Sequence, residues 1–258
     1  MKNRSALFIA ICFALLLSAC GGQVGSHQSS THPAVPLDCC GTAGDITLDF
    51  AALAGDVALE TMAAQPASDD GPWWEAAPQY RLLTLQGYPI TDHQSKPQIF
   101  VYPAADLAAA NEYMGQAADE MESLLQTQQF GESLPFLPLI NAKQVMHPQT
   151  RNLDFKNGKG LRFLTMYSQG LVPVNNQELI YTFQGLTGDG KYYIAAILPV
   201  THPQLPDDPT VNEQLTGVGS EYKNYISKTA SLLDQASAGS FTPDLSKLDA
   251  LIRSLDVK

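Results

Sequence analysis

The chemistry open to this sequence depends first on where its histidines and cysteines stand. The five histidines are His27, His32, His93, His147 and His202. Each lies near a proline or in loop-like sequence. None forms a His-Glu-x-x-His or i,i+4 pair that would set two zinc ligands on one helical face. No metal and no cofactor is therefore expected, and a site joining His93, His147 and His202 would have to be assembled by the fold. A nucleophilic hydrolase needs a serine or cysteine beside an oriented base, often on a Gly-x-Ser-x-Gly elbow. Gly217-Val218-Gly219-Ser220 does not have that spacing, so no catalytic residue is assigned.

The remaining polar motifs have plainer explanations. Asp189, between Gly188 and Gly190, lacks the ligand spacing of a calcium loop and fits a hairpin turn. Gly158-Lys159-Gly160 is too short for a phosphate-cradling loop. Asp119, Glu120 and Glu122 fall on the polar side of a helical repeat, where carboxylates are hydrated. The aromatic residues suggest more. Trp73-Trp74, Tyr80, Tyr88 and Tyr102 precede the first helix, and Tyr181, Phe183, Tyr192 and Tyr193 mark a hairpin. An exposed band of such rings would bind glycan, peptide or protein, with Trp73, Trp74, Tyr88 and Tyr192 as its candidate residues.

Composition narrows the classes. The chain has 258 residues, 45% hydrophobic and 16% charged, with 15 Lys+Arg against 26 Asp+Glu. That balance describes a globular body, and excludes a disordered acidic tail and a polytopic membrane protein. Basic residues are nowhere clustered as a phosphate backbone requires, so no nucleic-acid partner is expected.

The N-terminus carries an address. Lys2 and Arg4 precede an apolar run from Ala6 to Leu17, followed by Ser18 and Ala19, the zones of a secretory signal over residues 1–19. The run is twelve residues, short of the roughly 20 that a permanent helical span needs. Leu17-Ser18-Ala19-Cys20 resembles the lipobox of bacterial lipoproteins. That resemblance implies cleavage before Cys20 and attachment of acyl chains such as palmitate to its thiol. It also implies a cell-envelope location, with the body outside the cytoplasm. Without the leader, 13 basic and 26 acidic residues remain, a net charge of −13 over 239 residues. So acidic a body is repelled by anionic headgroups, which leaves attachment to the lipid. Once Cys12 is discarded with the leader and Cys20 is acylated, only Cys39-Cys40 remain, read here as part of a tether and not as a redox or metal pair.

The elements follow from periodicity. Residues 20–42, rich in Gly, Ser, His and Pro, read as a flexible tether, and 43–258 as one globular domain. Strands are expected at 45–50, 81–85 and 98–102, and a continuous amphipathic helix over 104–128. The proline-broken Leu134 to Leu139 should lie extended on a core. A strand with both faces apolar over 160–167 is placed centrally in the sheet, and 179–198 forms a long hairpin. Helices follow over 211–236 and from Thr242-Pro243-Asp244-Leu245, with Pro243 in the first turn. The expected class is α+β: an antiparallel sheet covered by helices, sandwich-like. From about Tyr80 to Lys258 this arrangement resembles the PsbP/Mog1-like α/β/α sandwich, and the segments 162–165, 183–187 and 189–193 resemble those of uncharacterised bacterial envelope proteins. Neither resemblance implies an activity. The expected function is a lipid-anchored, non-catalytic binding or accessory module. The alternatives are an envelope hydrolase whose site is assembled from distant residues, and a structural or assembly lipoprotein.

Overall fold

The computed structural model describes residues 35–36, 41–43, 45–208 and 219–258. The expected signal segment, Cys20, Cys39-Cys40, His27 and His32, and the first part of the helix expected over 211–236 lie outside the described residues.

In chain order the elements begin with short strands β1 (Val35–Pro36), β2 (Gly41–Ala43) and β3 (Ile46–Leu48), then β4 (Asp56–Met62), β5 (Tyr80–Gln86) and β6 (Gln98–Pro103). Helices α1 (Leu107–Ala110) and α2 (Glu112–Thr127) follow, then β7 (Lys143–Gln144), β8 (Arg151–Phe155), β9 (Gly158–Thr165) and β10 (Tyr167–Ser168). The hairpin β11 (Ile180–Thr187) and β12 (Tyr192–Pro199) precedes α3 (Ser220–Gln235), α4 (Leu245–Ser254) and β13 (Asp256–Val257). Eight strands form one antiparallel sheet in the order β1-β4-β5-β6-β12-β11-β9-β8. β13, β3 and β2 form a smaller sheet, and β10 pairs with β7. The class is α+β, as runs of strand period followed by runs of helix period, without strict βαβ alternation, predict.

Helices cover both faces of the large sheet, which is why its inner strands carry apolar residues on either side. On one face Leu83, Ile99, Val101, Tyr181, Phe183, Ile194 and Leu198 pack with Leu245, Leu248, Leu251 and Ile252 of α4 and Leu233 of α3. On the other, Leu82, Phe100, Tyr102, Phe163, Tyr193 and Ala195 pack with Leu107, Met114, Ala117 and Met121 of α1 and α2. Adjacent Tyr192 and Tyr193 thus enter opposite layers. The hairpin turn is closed by Gly190 at φ +70° and by Asp189, which accepts from Thr187 Oγ1 at 2.7 Å and from Lys191 N at 3.1 Å.

Several expectations need correction. The strand expected at the centre, β9, is second from the edge, because β8 pairs outside it; both its faces are nonetheless covered. β4 and β8 were not expected. Residues 35–36 and 41–42, read as tether, pair with β4 and, together with Ala43, with β3 respectively. Phe50 is buried but lies beyond the end of β3. Pro243 precedes the helix, and Asp244 caps it by accepting from Ser246 N at 2.8 Å.

The helix expected over 104–128 is instead broken at Asn111, whose backbone is extended at φ −158° and ψ 122°. Ala104–Asp106 form a 3₁₀ turn, and α1 packs against α2. Gly115 permits the close approach, since a Cβ there would lie 2.6 Å from Ala108 Cβ. Asn111 is buried and caps α2 by accepting from Tyr113 N at 3.0 Å.

Candidate binding groove

Asn111 also sets the position of the loop that follows β4. Its Nδ2 donates to Trp73 O at 2.7 Å, with a longer contact to Ala76 O at 3.4 Å. One side chain therefore fixes both the start of α2 and the loop carrying Trp73. Two residues into the helix, Tyr113 meets the indole, with ring centroids 4.7 Å apart and planes tilted by 54°. Trp73 and Tyr113 remain 48% and 52% exposed, so the pair presents ring surface to solvent.

The opposite wall is the proline-broken segment 134–139, which packs on the core without forming a strand and bends at Leu137 and Pro138. Leu134, Phe136 and Leu137 are buried. Prolines deny the segment a regular ladder, so side-chain amides take over its backbone groups. Gln184 accepts from Leu137 N and donates to Leu137 O, both at 3.0 Å. The same buried amide accepts from Tyr193 Oη at 2.9 Å and donates to Thr182 Oγ1 at 2.9 Å. Gln144 accepts from Leu134 N and donates to Tyr167 Oη, each at 2.8 Å. Tyr167 in turn packs on Phe136 at 4.5 Å between centroids, and burial pushes its phenol well above the ordinary range.

Between these walls runs an open groove of about 530 Å³. Trp73, Tyr113, Phe136, Tyr167, Leu139 and Ile140 provide its apolar surface, and Glu120, Glu132 and Lys143 its charges. Its shape is fixed by hydrogen bonds from inside the protein, so the rings are positioned without a ligand.

The expected aromatic residues do not come together. Trp73 lines the groove, and Trp74 stands edge-on to it at 5.7 Å and 89°, half-buried. Tyr88 is a correction: it is buried in the layer under α4 and its hydroxyl donates to Pro199 O at 2.8 Å. Tyr192 is half-buried on that same layer, with the Arg81 guanidinium 5.1 Å from its ring centroid. Tyr113, Phe136 and Tyr167 were not identified as site residues from the sequence. Tyr113 alone left a local sign, an aromatic ring outside the apolar stripe of its helix.

The three described histidines are each engaged separately. His93 Nε2 donates to Leu179 O at 2.9 Å and Nδ1 accepts from Ser95 N at 2.9 Å. His147 contacts Thr150 Oγ1 and Gly131 O. His202 lies 3.2 Å from Ser240 Oγ, a distance that suggests a nucleophile and its base. The hydrogen bonding is the reverse of what that needs. Gln204 N approaches Nδ1 at 3.4 Å, which assigns the proton to Nε2, and Ser240 Oγ donates to Ser237 O at 2.7 Å. Among the described residues no three His, Cys, Asp or Glu side chains are grouped to hold a metal, and no helix is long and apolar enough to cross a membrane.

Fold and site together define an α+β sandwich with a lateral aromatic groove. No family model, curated protein or solved structure matches this chain.

Proposed function

We propose that the protein is a lipid-anchored extracytoplasmic binding module of the bacterial envelope, acylated at Cys20, whose ligand occupies the groove beside Trp73. The observation that carries the binding role is the half-exposed Trp73–Tyr113 pair, held open by the buried side chain of Asn111. Rings kept in place at the surface lose little freedom on binding, so most of the contact they make contributes to affinity. The leader motif Leu17-Ser18-Ala19-Cys20 supports the anchor, and the net charge of the processed chain leaves a membrane little else to hold.

Both halves are testable. Cys20→Ser is expected to move the protein from the membrane fraction to the soluble fraction. An unchanged distribution, with no acyl mass on the native protein, would remove the anchor. For the groove, ligand titrations are followed by tryptophan emission, to which this chain lends itself: its two tryptophans are Trp73 and Trp74. A binding ligand should shift that emission, and Tyr113→Ala should weaken the binding; binding that Tyr113→Ala leaves untouched would place the ligand elsewhere.

A further inference from the structure

The charges lining the groove indicate what kind of ligand it takes. Glu120 and Glu132 stand on its lining with Lys143 as the single cation. Neither carboxylate has an ion-pair or hydrogen-bond partner among the described residues, while Trp73 and Tyr113 turn half-exposed rings to the same space. Aromatic faces carry negative potential and attract ammonium and guanidinium groups, indole most strongly. Carboxylates on the same groove add to that potential, and the acidic body raises it over the whole surface.

We infer that the groove binds an extended peptide segment bearing Lys or Arg side chains, whose cationic heads lie against Trp73 and Tyr113 between Glu120 and Glu132. This rests on the binding role proposed above and specifies its ligand. The apolar lining of Phe136, Leu139 and Ile140 suits the aliphatic stems of those side chains, which cover apolar surface while the charge stays at the rim. A neutral glycan would stack on the rings but gain nothing from either carboxylate, and an acidic peptide would be repelled by them.

The test titrates the purified full chain with three probes, read by tryptophan emission: a blocked hexapeptide alternating Lys and Pro, the same peptide with Glu for Lys, and a tetramer of N-acetylglucosamine. The Lys peptide should bind at least about tenfold tighter than the other two, with Trp73→Ala, followed by calorimetry, costing it about tenfold. Glu120→Gln with Glu132→Gln should cost it about fivefold, and raising the salt should weaken it in the wild type far more than in that double variant. Trp73→Phe, which keeps a ring, should retain most of the affinity, and unchanged far-UV circular dichroism establishes that each variant is folded. Tighter binding of the glycan or of the Glu peptide, sensitive to Tyr113→Ala, would overturn the cationic ligand while leaving the binding role intact. Lys-peptide affinity unchanged by the double carboxylate variant would overturn the inference as well. Failure of all three probes to bind at millimolar concentration would overturn both.

Discussion

Replacing Asn111 by alanine should both destabilise the protein and loosen the aromatic pair, because one buried side chain performs two tasks. As the cap of α2 it accepts from Tyr113 N, a role worth about 1 kcal/mol. As a donor it holds Trp73 O, and a hydrogen bond of this kind adds about 1 kcal/mol net. The Ala76 O contact, at 3.4 Å, adds little. Asn111→Ala should therefore cost about 2 kcal/mol, and with a denaturant slope near 2 kcal/mol per molar the urea midpoint falls by about 1 M. Asn111→Ser separates the two tasks: serine still caps but cannot reach Trp73 O, so about half the loss is expected. Near-UV circular dichroism from Trp73 and Tyr113 should diminish in both variants, since both release the loop. The reasoning is refuted if Asn111→Ala shifts the midpoint by less than about 0.2 M, or if alanine and serine are indistinguishable, since the cap would then contribute nothing.

A second prediction concerns the buried pair under α4. Arg162, almost wholly buried on β9, has Nε 3.3 Å from Asp249 Oδ1 and donates from Nη1 to Gln149 O at 2.8 Å. Burial lowers the arginine pKa, and Asp249 opposes that shift. Asp249→Ala should cost about 3–5 kcal/mol by leaving the guanidinium without a counter-charge, whereas Asp249→Ala combined with Arg162→Met should cost clearly less than the two single changes together; additive losses in urea midpoints would sink the argument. The third concerns pH. Burial lowers the His93 pKa below its ordinary value of 6.5, and that of His202 likewise. The unfolded chain then takes up protons first, so stability is full above about pH 6.5 and declines as pH falls from there toward the folded-state values. His93→Gln should flatten that decline, and proton NMR titration should place both rings below 6.5; values above it would contradict the burial seen here.

How far the fold could be read from sequence differs from element to element. The hairpin β11–β12 is marked by two apolar runs around Gly188-Asp189-Gly190, and α4 by a leucine stripe behind an Asp cap. In these segments local preference and tertiary environment agree. β4 carries no clear strand signal because its sequence, Asp-Val-Ala-Leu-Glu-Thr-Met, contains good helix formers, and pairing with β5 overrides that preference. The break at Asn111 is invisible to periodicity, because the apolar stripe runs through it; what goes with the turn is a contact across the fold, the Asn111 side chain donating to Trp73 O of a distant loop.

The sequence by itself determined the α+β class and offered Trp73 as a candidate contact. Those readings need only neighbouring residues, or the period at which apolar residues recur. Only the tertiary structure decided which rings stand with Trp73. Tyr113, Phe136 and Tyr167 reach the groove from a helix, a proline-broken segment and a short strand, and Tyr88 and Tyr192 go to the other side of the sheet. Which face a ring takes follows from strand register and from buried amides such as Asn111 and Gln184, whose partners lie 38 and 47 residues away in the chain. Contacts between residues that far apart leave no pattern in any local window, and they are what set the geometry of the groove.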